Sequence, residues 1–273
     1  MYNKIGIIGF GNMGRAIFER LKKDYSLLVF DKDPTKTKDL SGKNISKSIT
    51  DLLDKSEAII LAIKPQDFES LLKEIKDKIG DKLVISIAAG ITTDFIEKIL
   101  GKVKVIRVMP NMPAKIGKGM SCLCKGQFAK EEDLVFAKSL FEKLGETLVL
   151  NEDMMDAATA ISGSGPGYLY DWAEGKNLKD IKRQAEAFVN NLIFSAKSIG
   201  FSQLQAEILS RITTDGSIAY LEKTKLSASE AKKQVVSKGG TTEAALEVLH
   251  KGGTLEEAVK AALKRAKELS KKG

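Results

Sequence analysis

The chain has 273 residues, of which 43% are apolar and 29% charged, with a formal net charge of +8. That length suffices for two modest domains, each with its own core, and no run of about 18 apolar residues is present, which excludes a helical membrane span. The lysines are scattered, and no arginine-rich stretch or interleaved aromatics suggests a nucleic-acid surface. A positive balance still favours an anionic cofactor or substrate. The first residues carry no secretory pattern, so a cytoplasmic setting is expected. Cys122-x-Cys124 and a single histidine, His250, form no usual zinc set, and no metal is expected.

Lys4-Ile5-Gly6-Ile7-Ile8 reads as a buried strand. Gly9-Phe10-Gly11-Asn12-Met13-Gly14 follows it, and Arg15 to Leu21 has helical spacing. Strand, Gly-x-Gly-x-x-Gly and helix in this order form a dinucleotide-binding fingerprint. Gly9 permits the tight turn, Gly11 lets a pyrophosphate approach the backbone, and Gly14 lets the helix pack on the strand. The positive end of that helix then faces the phosphates. Ser26-Leu27-Leu28-Val29-Phe30 is a second strand, closed by Asp31. A carboxylate there suits a ribose 2′-hydroxyl and favours NAD over NADP, although Lys32 could pair with a 2′-phosphate. Asp31 also suits the turn Asp31-Lys32-Asp33-Pro34.

Further apolar runs at 58–63, 83–87 and 103–108 read as buried parallel strands, with helices at 65–78 and 92–100 between them. This βαβ rhythm predicts a doubly wound, mostly parallel sheet. Ligands bind such sheets beyond the carboxyl ends of the strands, which singles out Lys64-Pro65-Gln66, Ala88-Ala89-Gly90 and Met109-Pro110-Asn111-Met112-Pro113. Two prolines make the last loop stiff enough to hold Asn111 in place. Late edge strands at 118–125 and 146–150, antiparallel to the others, flank a helix at 130–144.

After about Asp153 the strand patterns vanish. Ser202-x-x-Gln205, Ser227-x-x-Glu230 and Thr254-x-x-Glu257 are capping boxes, and Ala258, Ala262, Leu263, Ala266 and Leu269 form one helical stripe. An all-α second domain is expected, with apolar stripes that suit a dimer. Ser162-Gly163-Ser164-Gly165-Pro166-Gly167 reads as a hinge between the domains. Ser237-Lys238-Gly239-Gly240-Thr241-Thr242 opens a helix, and its glycines and hydroxyls suit a carboxylate pocket. His250 reads as a surface residue near a helix end.

In this order, the motifs Gly9 to Gly14, Ala62 to Gln66, Ser86 to Gly90, Arg107 to Ala114, Ala160 to Pro166 and Gly239 to Thr242 make the chain resemble the pyrroline-5-carboxylate reductases over nearly its full length. The resemblance implies a Rossmann domain over 1–155 and an all-α dimerisation and substrate-binding domain over 156–273. It implies homodimers, assembled further into decamers, and NADPH- or NADH-dependent reduction of the C=N bond of 1-pyrroline-5-carboxylate to L-proline. It puts the cofactor on Ile8, Gly9, Phe10, Gly11, Asn12, Met13 and Gly14, on Ala62, Ile63, Lys64 and Pro65, and on Ala88 and Ala89, with Asn111 beside the nicotinamide. The substrate carboxylate would lie on Ser237, Gly239, Gly240, Thr241 and Thr242 at a dimer interface. Thr242 would be the catalytic hydroxyl nearest the ring nitrogen.

Three departures stand out. Lys238 replaces the family's usual proline. Lys225 and Ser227-Ala228 replace an acidic residue and a His-Pro pair. The segment 167–199 is longer and carries the polar run Asp171 to Asn177. Two other readings compete: a β-hydroxyacid dehydrogenase using Lys197 or Lys238 as its acid, and a nucleotide-binding homologue that has lost turnover.

Overall fold

The computed structural model describes residues 2–271. Its first half alternates β1 (Lys4–Ile8), α1 (Asn12–Leu21), β2 (Ser26–Phe30), α2 (Ile49–Asp54), β3 (Ala58–Leu61), α3 (Phe68–Ile75), β4 (Leu83–Ser86), α4 (Thr93–Leu100) and β5 (Lys104–Pro110). β6 (Gly119–Lys125), α5 (Glu131–Glu142) and β7 (Gly145–Val149) complete the sheet. The strand order is β2-β1-β3-β4-β5-β6-β7. The first five strands are parallel, each crossover being long enough to return the chain to the same end. Residues 111–118 are too few for such a crossover, so β6 runs back antiparallel to β5, and α5 then makes β7 parallel to β6.

Both faces of the sheet are covered. Ile5, Ile7, Ile60, Ile85 and Ile106 pack with α1 and α5 on one side. Ile59, Leu61, Val84 and Val105 pack with α2, α3 and α4 on the other. Strands buried on both faces must read as unbroken apolar runs. On β6 the alternation divides the two halves of the molecule: Leu123 faces the sheet core, while Met120, Cys122 and Cys124 enter the helical core. Both thiols are free and buried.

The second half is helical: α6 (Met155–Ala158), a π-turn (Thr159–Gly163), α7 (Gly165–Trp172), α8 (Leu178–Ser198), α9 (Gln203–Thr224), α10 (Ala228–Val235), α11 (Thr241–His250) and α12 (Leu255–Ser270). All three capping boxes form. Ala258, Val259, Ala262 and Ala266 are the buried stripe of α12.

The segment 162–167 is not a hinge. Apart from half-buried Gly163 it is buried, and it is fastened at several points. Ser164 N–H donates back to the Thr159 carbonyl, Ser162 Oγ to Ala158 and Tyr168 Oη to Ala160. Its glycines serve contact rather than flexibility. A Cβ on Gly165 would meet Thr213, and one on Gly167 would meet Thr242. The polar run that begins at the end of α7 is tied down as well. Asp171 accepts from Lys232 Nζ at 2.7 Å and pairs with His250 Nε2 at 2.9 Å, joining α7 to α10 and α11.

A buried polar clamp joins the two halves. Arg107 on β5 is 1% exposed. It pairs with Glu152, and with Asp156 at 3.2 Å. Glu152 also accepts from Thr93 Oγ1 at 2.8 Å, and Asp156 from Ser270 Oγ at 2.7 Å. One arginine thereby connects the sheet, the start of α4, the start of the helical half and the end of α12.

Candidate active site

The glycine turn between β1 and α1 lies at the carboxyl edge of the sheet. Gly9 donates its N–H to the Phe30 carbonyl and has φ +98°, where an L side chain is strained. A Cβ there would lie 2.5 Å from the Ala62 carbonyl oxygen, and one on Gly14 would land on the Gly9 carbonyl. Gly11 is different: a Cβ on it meets nothing within 4 Å. Gly11 caps α1 without any side-chain bond, so the N–H groups of the first turn, on Asn12, Met13 and Gly14, face open space. This is an anion cradle, and a dinucleotide diphosphate fits it.

The cradle opens into a cleft of about 440 Å³ lined by Ile8, Gly9, Gly11, Asp31, Ala62, Ile63 and Lys64 among others. Asp31 Oδ2 accepts the Phe10 N–H at 2.7 Å, and its Oδ1 accepts from Asp33 N–H at 2.9 Å. Lys36 Nζ pairs with it at 3.3 Å. Lys32 turns instead to Asp67 at 3.2 Å. Asp31 therefore fixes the glycine turn while its side chain faces the cleft. Phe10 itself is buried against Phe18. Pro65 starts the short 3-10 turn after Lys64.

Two further loops follow β4 and β5. Ala88 is buried and Ala89 half-buried. The small residue beyond them has another use: Gly90, at φ +76°, meets Leu269 at the end of α12. Asn111 is 2% exposed. Its Oδ1 accepts the Met120 N–H at 2.9 Å, and its Nδ2 donates to the Ser162 carbonyl at 3.2 Å. The stiff loop thus carries a second contact, to the π-turn, with the Met109 methyl against Gly163.

The turn before α11 completes the arrangement. Gly240 N–H closes on the Ser237 carbonyl at 2.9 Å, and Gly239 has φ +70°. Gly240 caps α11 with no side-chain bond, which leaves the Thr241, Thr242 and Glu243 amides directed outward. Ser237, Lys238 and Gly239 are exposed, while Thr242 is buried with its methyl against Gly167. Thr241 Oγ1 lies 2.8 Å from Ser164 Oγ.

Two groups of expected site residues emerge. Ile8, Gly9, Gly11, Asp31 and Ala62 to Lys64 share the cleft beyond β1, while Phe10 is turned into the core. Asn111, Thr241 and Thr242 each meet the segment 162–167, at Ser162, Ser164 and Gly167 respectively. Ser162 and Ser164 were absent from the residues expected from sequence, because a π-turn has no periodic signature and their glycines resembled a hinge. No thiol offers an available nucleophile here. Burial pushes Cys122 up to about 12 and raises Cys124 as well. Lys197 and Lys238 are exposed, and neither lines the cleft beyond β1.

Two family descriptions match the chain. Residues 4–90 match coenzyme F420-dependent NADP oxidoreductase, and residues 185–270 match pyrroline-5-carboxylate reductase dimerisation. A curated pyrroline-5-carboxylate reductase of Methanosarcina acetivorans is 32% identical, with 98% of each chain covered. That of Aquifex aeolicus is 31% identical over 88% of this chain and 86% of its own. Among solved structures, the Plasmodium falciparum pyrroline carboxylate reductase with NADP bound superposes with a TM-score of 0.64 at 28% identity, covering 98% of both chains. A prephenate dehydrogenase of Aquifex aeolicus, at 16% identity and a TM-score of 0.51, shares the fold.

Proposed function

The chain belongs to the pyrroline-5-carboxylate reductase family, and from that premise we propose that it catalyses the NAD(P)H-dependent reduction of 1-pyrroline-5-carboxylate to L-proline. The observation that carries this reading is that one segment, 162–167, meets both loops: the Ser162 carbonyl accepts from Asn111 Nδ2, and Ser164 Oγ bonds Thr241 Oγ1 at the uncapped start of α11. It ties the loop after β5 to a second uncapped helix start, which suits a carboxylate.

In this reading the cofactor is held by Ile8 to Gly14, Asp31, Ala62 to Pro65, Ala88, Ala89 and Asn111. When bound, the reduced nicotinamide supplies the hydride. The chain's own work is positional. The Ser237–Thr242 turn binds the substrate carboxylate through the Thr241, Thr242 and Glu243 amides and so fixes the ring. The protonated imine is its own electrophile, so no covalent nucleophile or metal is needed: the C=N π bond becomes a C–H bond and a nitrogen lone pair, giving the secondary amine. The Thr242 hydroxyl oxygen accepts from the iminium N–H, and its O–H donates to the nitrogen lone pair as that forms, which holds the nitrogen in register. Fixing two reactants this way contributes on the order of 7–11 kcal/mol in favourable cases. Asp31 favours the cofactor that lacks a 2′-phosphate.

The division into domains at 155 and 156, a cytoplasmic setting, and a dimer with a decamer as its further stage complete the proposal. The decisive assay follows oxidation of NADH and NADPH on addition of pyrroline-5-carboxylate, with L-proline as product. Oxidation in step with L-proline is expected. Reduction of NAD(P)⁺ by a β-hydroxyacid, with no turnover of the imine, would replace this reading with the dehydrogenase one. Nucleotide binding without either turnover would leave the inactive homologue.

A further inference from the structure

The exposed part of the carboxylate turn has no packed neighbours to hold it. Ser237, Lys238 and Gly239 face solvent, and Gly239 sits at φ +70°. Its peptide groups are nonetheless held from two sides. The Gly239 N–H donates to Glu243 Oε2 at 2.6 Å. The Gly239 carbonyl accepts from Arg265 Nε at 2.8 Å. Arg265 lies on α12, where Glu268 holds its Nη1 at 3.0 Å. The guanidinium is thus oriented before it meets the turn, and its planar fork lets one edge grip Glu268 while Nε faces the glycine.

The two bonds to Gly239 each join a charged side chain to a neutral backbone group, and such bonds are stronger than neutral ones. They act on the residue whose dihedrals decide where the following amides point. A glycine at positive φ has few restraints of its own, so freeing its carbonyl would let the turn sample other shapes. The helix that reaches the turn also touches the nucleotide half of the molecule, through Leu269 against Gly90 and Ser270 on Asp156.

We propose that Arg265, with Glu243 as its counterpart, is a positioning residue of the substrate site: it sets the shape of the 237–240 turn so that the α11 amides converge on the substrate carboxylate. This rests on the reading of that turn as the carboxylate site. Arg265 touches neither substrate nor cofactor in this account. Its removal should therefore weaken recognition of the carboxylate without altering the hydride step or the nucleotide cleft.

The test compares Arg265→Ala, Arg265→Lys and Thr242→Ala with the parent enzyme, measuring kcat, KM for the imine, KM for the cofactor and product inhibition by L-proline. Arg265→Ala should raise KM for the imine and the inhibition constant for L-proline together, by about tenfold, the size of one charge-assisted hydrogen bond. Its kcat should stay within about twofold and its cofactor KM unchanged. Arg265→Lys, which keeps a cationic donor, should recover part of the loss. Amide hydrogen exchange at Gly239 and Gly240 should be faster in Arg265→Ala than in the parent. An imine KM and proline inhibition unchanged in Arg265→Ala would overturn the proposal, as would equal losses in every kinetic constant alongside a lower Tm. If the parent and Thr242→Ala behave as the carboxylate-site reading expects while Arg265→Ala is silent, only this inference fails. If the parent enzyme shows no proline inhibition and no imine turnover, the underlying site reading fails with it.

Discussion

Thr242 occupies the first turn of α11, with its methyl group against Gly167 and little of its surface exposed. Packing leaves it few rotamers, so its hydroxyl is aimed before any substrate arrives. Thr242→Ala is expected to lower kcat about tenfold, the worth of one hydrogen bond, with cofactor KM unchanged in steady-state kinetics. Unchanged turnover would remove the hydroxyl from the mechanism. Asp31 makes a comparable statement about the cofactor. It accepts from Phe10 N–H and faces the cleft, and a 2′-phosphate brought there would meet like charge. Asp31→Ser should shift the ratio of kcat/KM values toward NADPH by at least about tenfold. The shift is tempered by Lys36, which already pairs with Asp31.

At the scale of elements, the strand, glycine turn and helix at 4–21 were legible because each residue there answers to one local demand. The parallel sheet was legible for the same reason, since burial on both faces leaves only apolar runs. The capping boxes of α9, α10 and α12 are short patterns with one geometric meaning. The π-turn was not legible. Ser162 and Ser164 bond to backbone and to Thr241, contacts that depend on what packs against them rather than on spacing. The Arg107 clamp was equally hidden, because its partners are 45 and 49 positions away. Glu152 makes that clamp sensitive to acid. Burial alone would raise its carboxyl, but the Arg107 charge and the Thr93 hydroxyl outweigh burial and hold it below its ordinary 4.5. Such a group lends its stability in full above the ordinary value and loses it as pH falls through the lowered one. In Glu152→Gln the decline of Tm as pH falls below the ordinary 4.5 should be shallower than in the parent. At neutral pH the variant should lose about 1–3 kcal/mol, since Arg107 keeps only Asp156 as a charged partner. Parallel Tm curves would show that Glu152 does not govern the acid limb.

Across the whole molecule, the largest exposed apolar side chain lies on one of the two longest helices. Phe194 on α8 is 62% exposed and Leu204 on α9 is 67% exposed, and both fall within residues 185–270, the region matched by the dimerisation family. We propose that copies of the chain associate through this region. Replacing both residues by aspartate should shift the protein toward monomers in analytical ultracentrifugation and reduce activity in proportion to the monomer fraction. An unchanged sedimentation profile would place the interface elsewhere on the helices.

The most direct test of the central claim is a crystal structure with nicotinamide cofactor and L-proline bound together. The account predicts the diphosphate on the Gly9–Gly14 turn and the proline carboxylate on the amides of Thr241, Thr242 and Glu243, with the ring facing a nicotinamide of the same or a neighbouring subunit. A carboxylate bound away from the 237–242 turn, or a turn remote from every nicotinamide in the assembly, would contradict it.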